Sequence, residues 1–146
     1  MIVVEKKLIP AEILKDSVLL HLAAAYFSIG KRLEQKTQCS QTRGFVLSTL
    51  RGGAVLNQNQ IANLLGFDRT VVHRCIRSMI QEGLVSERKA NSGRALLVQL
   101  TPKGTRYREY LIKERREAEE KLRKELTPEE CTTLVRLLER VAELEL

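Results

Sequence analysis

The chain has 146 residues, 43% hydrophobic and 29% charged, a length that suits one domain with a helical extension and excludes two large ones. Three scattered cysteines, Cys39, Cys75 and Cys131, exclude a disulfide framework or a cysteine zinc site, and no GxGxxG, GxxxxGK[ST] or HExxH pattern is present, so neither an enzyme, a cofactor nor a metal is expected. The net charge of +7 is concentrated: residues 41–108 carry 11 basic and 3 acidic groups, a net of +8, between flanks of +2 and −3, which fits either a polyanion-binding module or a solvated basic surface.

Pro10 opens the first predicted helix, which Ile13, Leu14, Leu20, Ala24, Phe27 and others make unusually apolar up to Gly30. Its apolar stretch Ser17–Gly30 is shorter than the roughly 20 residues of a membrane span, and Met1–Lys7 lacks the long apolar core of a secretion signal. A cytoplasmic location with no membrane partner is the expectation. His21 sits in this helix with no partner visible in the sequence. The link that follows, Thr37-Gln38-Cys39-Ser40-Gln41, is polar and places Cys39 near Lys36 and Arg43, making it the one cysteine expected to be exposed.

Asn57 predicts a helix N-cap, with Ile61, Leu64 and Leu65 on one face and Gly66 as the stop. Two residues later Asp68 caps a second helix, predicted to run to about Glu82 and to end at Gly83. Two short helices joined by a glycine-containing turn have the proportions of a helix-turn-helix. On a wheel of the second helix, Val72, Cys75, Ile76 and Met79 share the core arc, while Arg69, Thr70, His73, Arg74 and Arg77 share the opposite one. An outward face with three arginines and no carboxylate after Asp68 costs stability by like-charge repulsion unless a phosphate-rich partner is met. This predicts a recognition helix, its N-terminal half reading base edges.

Leu84–Glu87 and Ala95–Leu100 are strand-like, and the basic run Arg88–Arg94 between them predicts a hairpin loop, a wing that lays Arg88, Lys89 and Arg94 along the DNA backbone or into the minor groove. Thr101-Pro102 then starts a helix to about Glu125, its alternating charges from Glu114 onward reading as a solvated spacer. Thr127-Pro128-Glu129-Glu130 is a capping box that opens a last helix. There Cys131, Leu134, Val135, Leu138, Val141 and Ala142 form a stripe broad enough to require burial, with Leu137, Leu144 and Leu146 widening it.

Asn57–Arg74, Gly83-Leu84-Val85 and the segment Leu97-Val98-Gln99-Leu100-Thr101-Pro102-Lys103-Gly104 together resemble the winged-helix core of the MarR family of bacterial transcription regulators. The resemblance implies a mainly α fold with a small β-wing: a winged helix-turn-helix lobe over 41–108, flanked by dimerisation helices over 1–38 and 109–146. It implies a homodimer whose chain ends interdigitate, through Ile13, Leu14, Leu134, Leu138 and Val141 here, and small aromatic acids as ligands, with Tyr26, Phe27 and Phe45 as candidate cleft residues or, alternatively, core. The family wing usually places an Asp two residues before an Arg; here Ser92 stands before Arg94. Oxidant-sensing members carry their thiol near the start of the first helix, and this chain has none there.

The expected function is a dimeric regulator, a repressor of transcription, on double-stranded DNA with an inverted-repeat site. Arg69, Thr70, Val71, His73 and Arg74 are expected at bases, and Arg77, Arg43, Arg51, Arg88, Lys89 and Arg94 at phosphates. The alternatives are a winged helix that binds another protein, and a thiol-based redox sensor working through Cys39.

Overall fold

The structure, a computed structural model, describes residues 15–145. The expected helix start at Pro10, with Ile13 and Leu14, lies outside the described residues. In chain order the elements are α1 (Val18–Thr37), α2 (Gln41–Thr49), a 3₁₀ turn (Arg51–Gly53), β1 (Leu56–Asn57), α3 (Gln58–Leu65), α4 (Arg69–Gln81), β2 (Val85–Lys89), β3 (Leu96–Leu100), α5 (Pro102–Glu125) and α6 (Pro128–Ala142). The strands make one antiparallel sheet in the order β1-β3-β2, so the fold is mainly α with a small β-wing. The chain divides into two compact units between Glu109 and Tyr110.

In the first unit, Ser17 caps α1 by accepting a hydrogen bond from the Leu20 N–H, and the helix continues to Thr37. The helix thus runs on past Gly30, where its apolar stretch ends. A lone glycine only weakens a helix, and here Gly30 is buried beneath the Gln41 amide, whose Nε2 would lie 1.2 Å from an added Cβ. The helix ends instead at Gln38, which takes φ 55° and donates its N–H to the Glu34 carbonyl.

α3 begins as the sequence predicts, with Asn57 and Gln60 capping each other reciprocally and Gly66 closing it at φ 65°. Its core face differs from the prediction. Ile61 and Ala62 are buried, whereas Leu64 is 67% exposed. In a two-turn helix the buried arc is set by the neighbours it meets, and here it is centred between Ile61 and Ala62, which leaves Leu64 outside it. Strand β1 is a further departure: Leu56 and Asn57 pair with Val98 and Leu97, so the N-cap residue also closes the sheet.

The core of this unit joins Val46, Leu47 and Leu50 of the α2 region to Ile61 of α3, Val72, Ile76 and Met79 of α4, and Val85 and Val98 of the sheet, all less than 2% exposed. Phe45 and Phe67 pack edge to face at 6.0 Å. The Leu-Thr-x-Lys-Gly segment acts as a clamp on the end of α4. Thr101 Oγ1 donates to the Gly83 carbonyl at 2.6 Å, the Thr101 N–H donates to the Leu84 carbonyl, and Lys103 Nζ donates to the Glu82 carbonyl at 2.7 Å. A Cβ on Gly104 would fall 1.8 Å from the Leu84 oxygen, so only glycine lets α5 start this close to the strand.

In the second unit, Thr127 and Glu130 cap each other at the start of α6, with Pro128 in the first turn. None of the residues of α6 is buried. Along α5, Arg123 pairs with Glu119 one turn away at 3.0 Å, as befits a solvated surface. Glu114 corrects that picture locally: it is only 8% exposed and falls on the same helical face as the half-buried Tyr107 and Leu111.

Candidate nucleic-acid interface

α4 is placed by its own amphipathic pattern. Val72, Ile76 and Met79 are fully buried, and Cys75 is half-buried with its thiol pushed up by burial. The helix therefore turns Arg69, Thr70, Val71, His73, Arg74 and Arg77 outward, and all six are exposed. The three carboxylates within 41–108 are each committed elsewhere. Asp68 Oδ1 accepts the Thr70 N–H at 2.7 Å as the N-cap, and that backbone bond holds its carboxyl below the ordinary range. Glu82 is bonded to Arg43 and Ser78, and Arg43 holds it below the ordinary carboxylate range. Glu87 Oε1 accepts from Gln58 Nε2 at 2.8 Å.

Arg43 was expected at a phosphate. The structure places its guanidinium against Glu82 and Ser78, with its side chain 15% exposed. Burial pulls its pKa down, but Glu82 outweighs this and raises it, so the charge is permanent and spans from α2 to the end of α4. Arg51 lies exposed in the 3₁₀ turn.

In the wing, Arg88 and Lys89 belong to β2, paired with Leu97 and Leu96, not to the loop as predicted. The loop is residues 90–95, closed by the Ala90 N–H donating to the Ala95 carbonyl at 2.9 Å and turned at Gly93, φ 85°. The strand extends because the side chains of Arg88 and Lys89 leave to alternate faces while their backbone completes the ladder. Arg88, Lys89 and Arg94 are exposed.

One connection escapes sequence reasoning altogether. His73 Nδ1 lies 3.0 Å from Gln58 Oε1, and Gln58 in turn reaches Glu87, linking α4, the start of α3 and the wing strand. The only signal available in the sequence is that Glu87 is a rare acidic residue within a basic block.

An open groove of about 480 Å³ runs beside α4, lined by Gln38, Arg43, Val71, Arg74, Cys75 and Ser78 among others. Tyr26, Phe27 and Phe45 do not line it. Tyr26 and Phe27 are 50% and 58% exposed on α1, and Phe45 packs on Phe67. Cys39, expected to be exposed, is 6% exposed. The αL turn at Gln38 folds the link inward, and the Cys39 N–H donates to Thr37 Oγ1. The described residues contain no group of three or more potential metal ligands, and no helix among them is long and apolar enough to cross a membrane.

Residues 45–104 match the family of winged helix DNA-binding domains. No curated protein matches the chain. Among solved structures, a probable transcriptional regulator from Pseudomonas aeruginosa is 25% identical with a TM-score of 0.78, covering 88% of this chain and 98% of its own. A MarR mutant from E. coli complexed with operator DNA is 22% identical, TM-score 0.75, covering 90% and 96%. BpsR of Bordetella bronchiseptica, solved in a study of regulation of its DNA binding by 6-hydroxynicotinic acid, is 20% identical, TM-score 0.73, covering 87% and 100%. Residues 45–104 thus match the winged helix DNA-binding domains, within a chain that has the fold of the MarR structure.

Proposed function

We propose that the protein is a homodimeric, sequence-specific regulator of transcription, a repressor that occupies an inverted-repeat operator and is released by a small aromatic acid. The observation that carries the DNA reading is the outward face of α4. It shows Arg69, Arg74 and Arg77 to solvent while every carboxylate of the basic block is engaged in a cap, an ion pair or a hydrogen bond. Arg69, Thr70, Val71, His73 and Arg74 meet bases in the major groove. Arg77, Arg51, Arg88, Lys89 and Arg94 meet phosphates and set the register. Arg43 braces the recognition helix through Glu82 instead of touching DNA.

Dimerisation is supported by the apolar residues that the single chain leaves open: Val18, Leu19 and Ile29 of α1 are 76%, 61% and 52% exposed, and Leu134 and Leu138 of α6 are 39% and 40% exposed. Val141 lies on the same α6 stripe, half-buried. Ligand release is supported by the likeness to BpsR, whose DNA binding is regulated by 6-hydroxynicotinic acid. Thiol control finds no support, because Cys39 is buried and burial pushes the Cys75 thiol up.

Selection from a random DNA library tests the reading. The expected product is an inverted repeat with half-sites about 10 bp apart. Arg74→Ala should weaken the selected site by about 1–3 kcal/mol, whereas Arg88→Ala should weaken all sequences and lower the salt slope by about one. Parent-like binding by both variants would refute the recognition-helix reading. Leu138→Glu should sediment as a monomer, and a parent that is already monomeric at micromolar concentration would refute the dimer.

A further inference from the structure

We propose that Gln58 and Glu87 are specificity-determining positioning residues: they lock the His73 imidazole in the tautomer that presents a bare, hydrogen-bond-accepting Nε2 to the DNA. The inference rests on the DNA-binding reading above and adds a chemical identity to one of its contacts.

The chain of reasoning runs inward from Glu87. An ionised carboxylate only accepts hydrogen bonds, so the Gln58 atom 2.8 Å from Glu87 Oε1 must be the amide nitrogen. That fixes which way the Gln58 amide faces. Its oxygen is therefore the atom 3.0 Å from His73 Nδ1, and an amide oxygen also only accepts. Nδ1 must then carry the hydrogen, and in the neutral ring Nε2 has none. An unconstrained neutral imidazole prefers the opposite arrangement, with the proton on Nε2.

The consequence lies in what the exposed nitrogen can read. His73 stands on the outward face of α4 between Arg69 and Arg77, and the brace holds its Nδ1 edge toward the protein. In the major groove the hydrogen-bond donors are the exocyclic amines, adenine N6 and cytosine N4. An acceptor Nε2 therefore selects adenine or cytosine. The ordinary tautomer, donating from Nε2, would instead meet the acceptors N7 or O6 of guanine, O4 of thymine or N7 of adenine, and so would lose the discrimination against guanine and thymine. Two polar side chains from two other elements thus convert a residue that can read either pattern into one that reads a single pattern.

Two measurements test this separately. Long-range ¹H–¹⁵N correlation spectra of the full chain at about pH 8, above the ordinary histidine range, report which ring nitrogen is protonated. The chain has only two histidines, His21 and His73, so a His73→Gln spectrum assigns the signals. The parent is expected to show Nδ1–H for His73. Gln58→Leu removes the brace, and Glu87→Gln frees the Gln58 amide to turn over, so both should move the proton to Nε2. Library selection should then give adenine or cytosine at one position per half-site for the parent. In both variants that preference should fall by about two- to ten-fold, the worth of one hydrogen bond, with the other positions unchanged.

An Nε2–H signal in the parent would overturn the tautomer, and Nδ1–H persisting in both variants would overturn the role of the brace. Identical base preferences in parent and variants would overturn the specificity role. A parent that selects no sequence at all would instead overturn the DNA-binding reading, and with it the base contact, whatever the spectra show.

Discussion

Nine large apolar side chains of the unit ending at Glu109, from Val46 to Val98, are less than 2% exposed, whereas α6 in the unit beginning at Tyr110 leaves Leu134, Val135, Leu137 and Leu138 between 39% and 55% exposed. The two regions are rich in the same kinds of residue, and what differs is who buries them. The winged-helix lobe packs its helices and sheet around one another, so it buries a core within the chain, although Leu64 stays 67% exposed and α1 leaves Val18 and Leu19 open. α6 is held helical by local devices, a reciprocal cap at Thr127 and Glu130 and Pro128 in its first turn, while its apolar stripe stays open. A helix of 15 residues is marginal alone, since most helical stability comes from packing the apolar face. The difference teaches that the lobe has a core of its own, whereas α6 owes its helix to local caps and leaves the stripe that the proposed dimer would use.

The contrast predicts unequal sensitivity to the same kind of truncation. Ile76→Ala, at a site with no exposure, should cost about 2–5 kcal/mol in urea denaturation through lost burial and the cavity left behind. Leu138→Ala, measured where the chain is dilute enough to be monomeric, should stay within about 0.5 kcal/mol of the parent. Equal losses would mean that the tail already has a core of its own.

Gly104→Ala strikes the lobe through its backbone. The new methyl overlaps the Leu84 carbonyl, and relieving that contact means pulling the start of α5, with the Thr101 and Lys103 clamp, away from the end of α4. A loss of about 1–3 kcal/mol is expected in the same denaturation experiment, with broadened amide signals around Glu82–Leu84. A neutral Gly104→Ala would show that the start of α5 is not tightly held.

Thr127→Ala addresses the tail. Removing the cap should cost about 1 kcal/mol, and its signature should be local: faster amide exchange at Glu130, whose N–H loses its acceptor, with the lobe unchanged. If lobe amides exchanged faster as well, the two regions would be energetically coupled.

The smallest effect is at high pH. Burial, then a hydrogen bond involving Cys39, push the Tyr107 hydroxyl up to about 12, from 10. The folded state therefore keeps this proton where the unfolded state loses it. Its contribution to stability is complete below about pH 10 and should fade as pH rises toward 12. A Tyr107→Phe variant should lose less stability than the parent across that window. Identical pH profiles would show that the hydroxyl is not shielded.

Much of this was written in local sequence. Caps and stops are short-range chemistry, so Asn57, Gly66, Asp68, Thr101-Pro102 and Thr127-Pro128 delimit their helices where side-chain oxygens and glycine conformations require. The 3.6-residue period of α4 likewise determined which of its residues are buried and which arginines face out. Gly104 could be recognised in its motif, although the reason for it, the Leu84 carbonyl, belongs to another element.

Tertiary structure alone decided the rest, because each remaining feature depends on what a residue meets far along the chain. Gly30 has no room for a side chain because Gln41 covers it, and the wing strand extends through Arg88 and Lys89 because β3 offers them partners. Cys39 is buried by a turn that hydrophobicity does not announce. Arg43 finds Glu82 across 39 positions, and His73 meets Gln58 15 positions away, which in turn meets Glu87 29 positions on. A periodic pattern says which face of a helix is polar. It does not say which polar group will stand opposite, and the charge left for a partner is the charge that no such meeting has used.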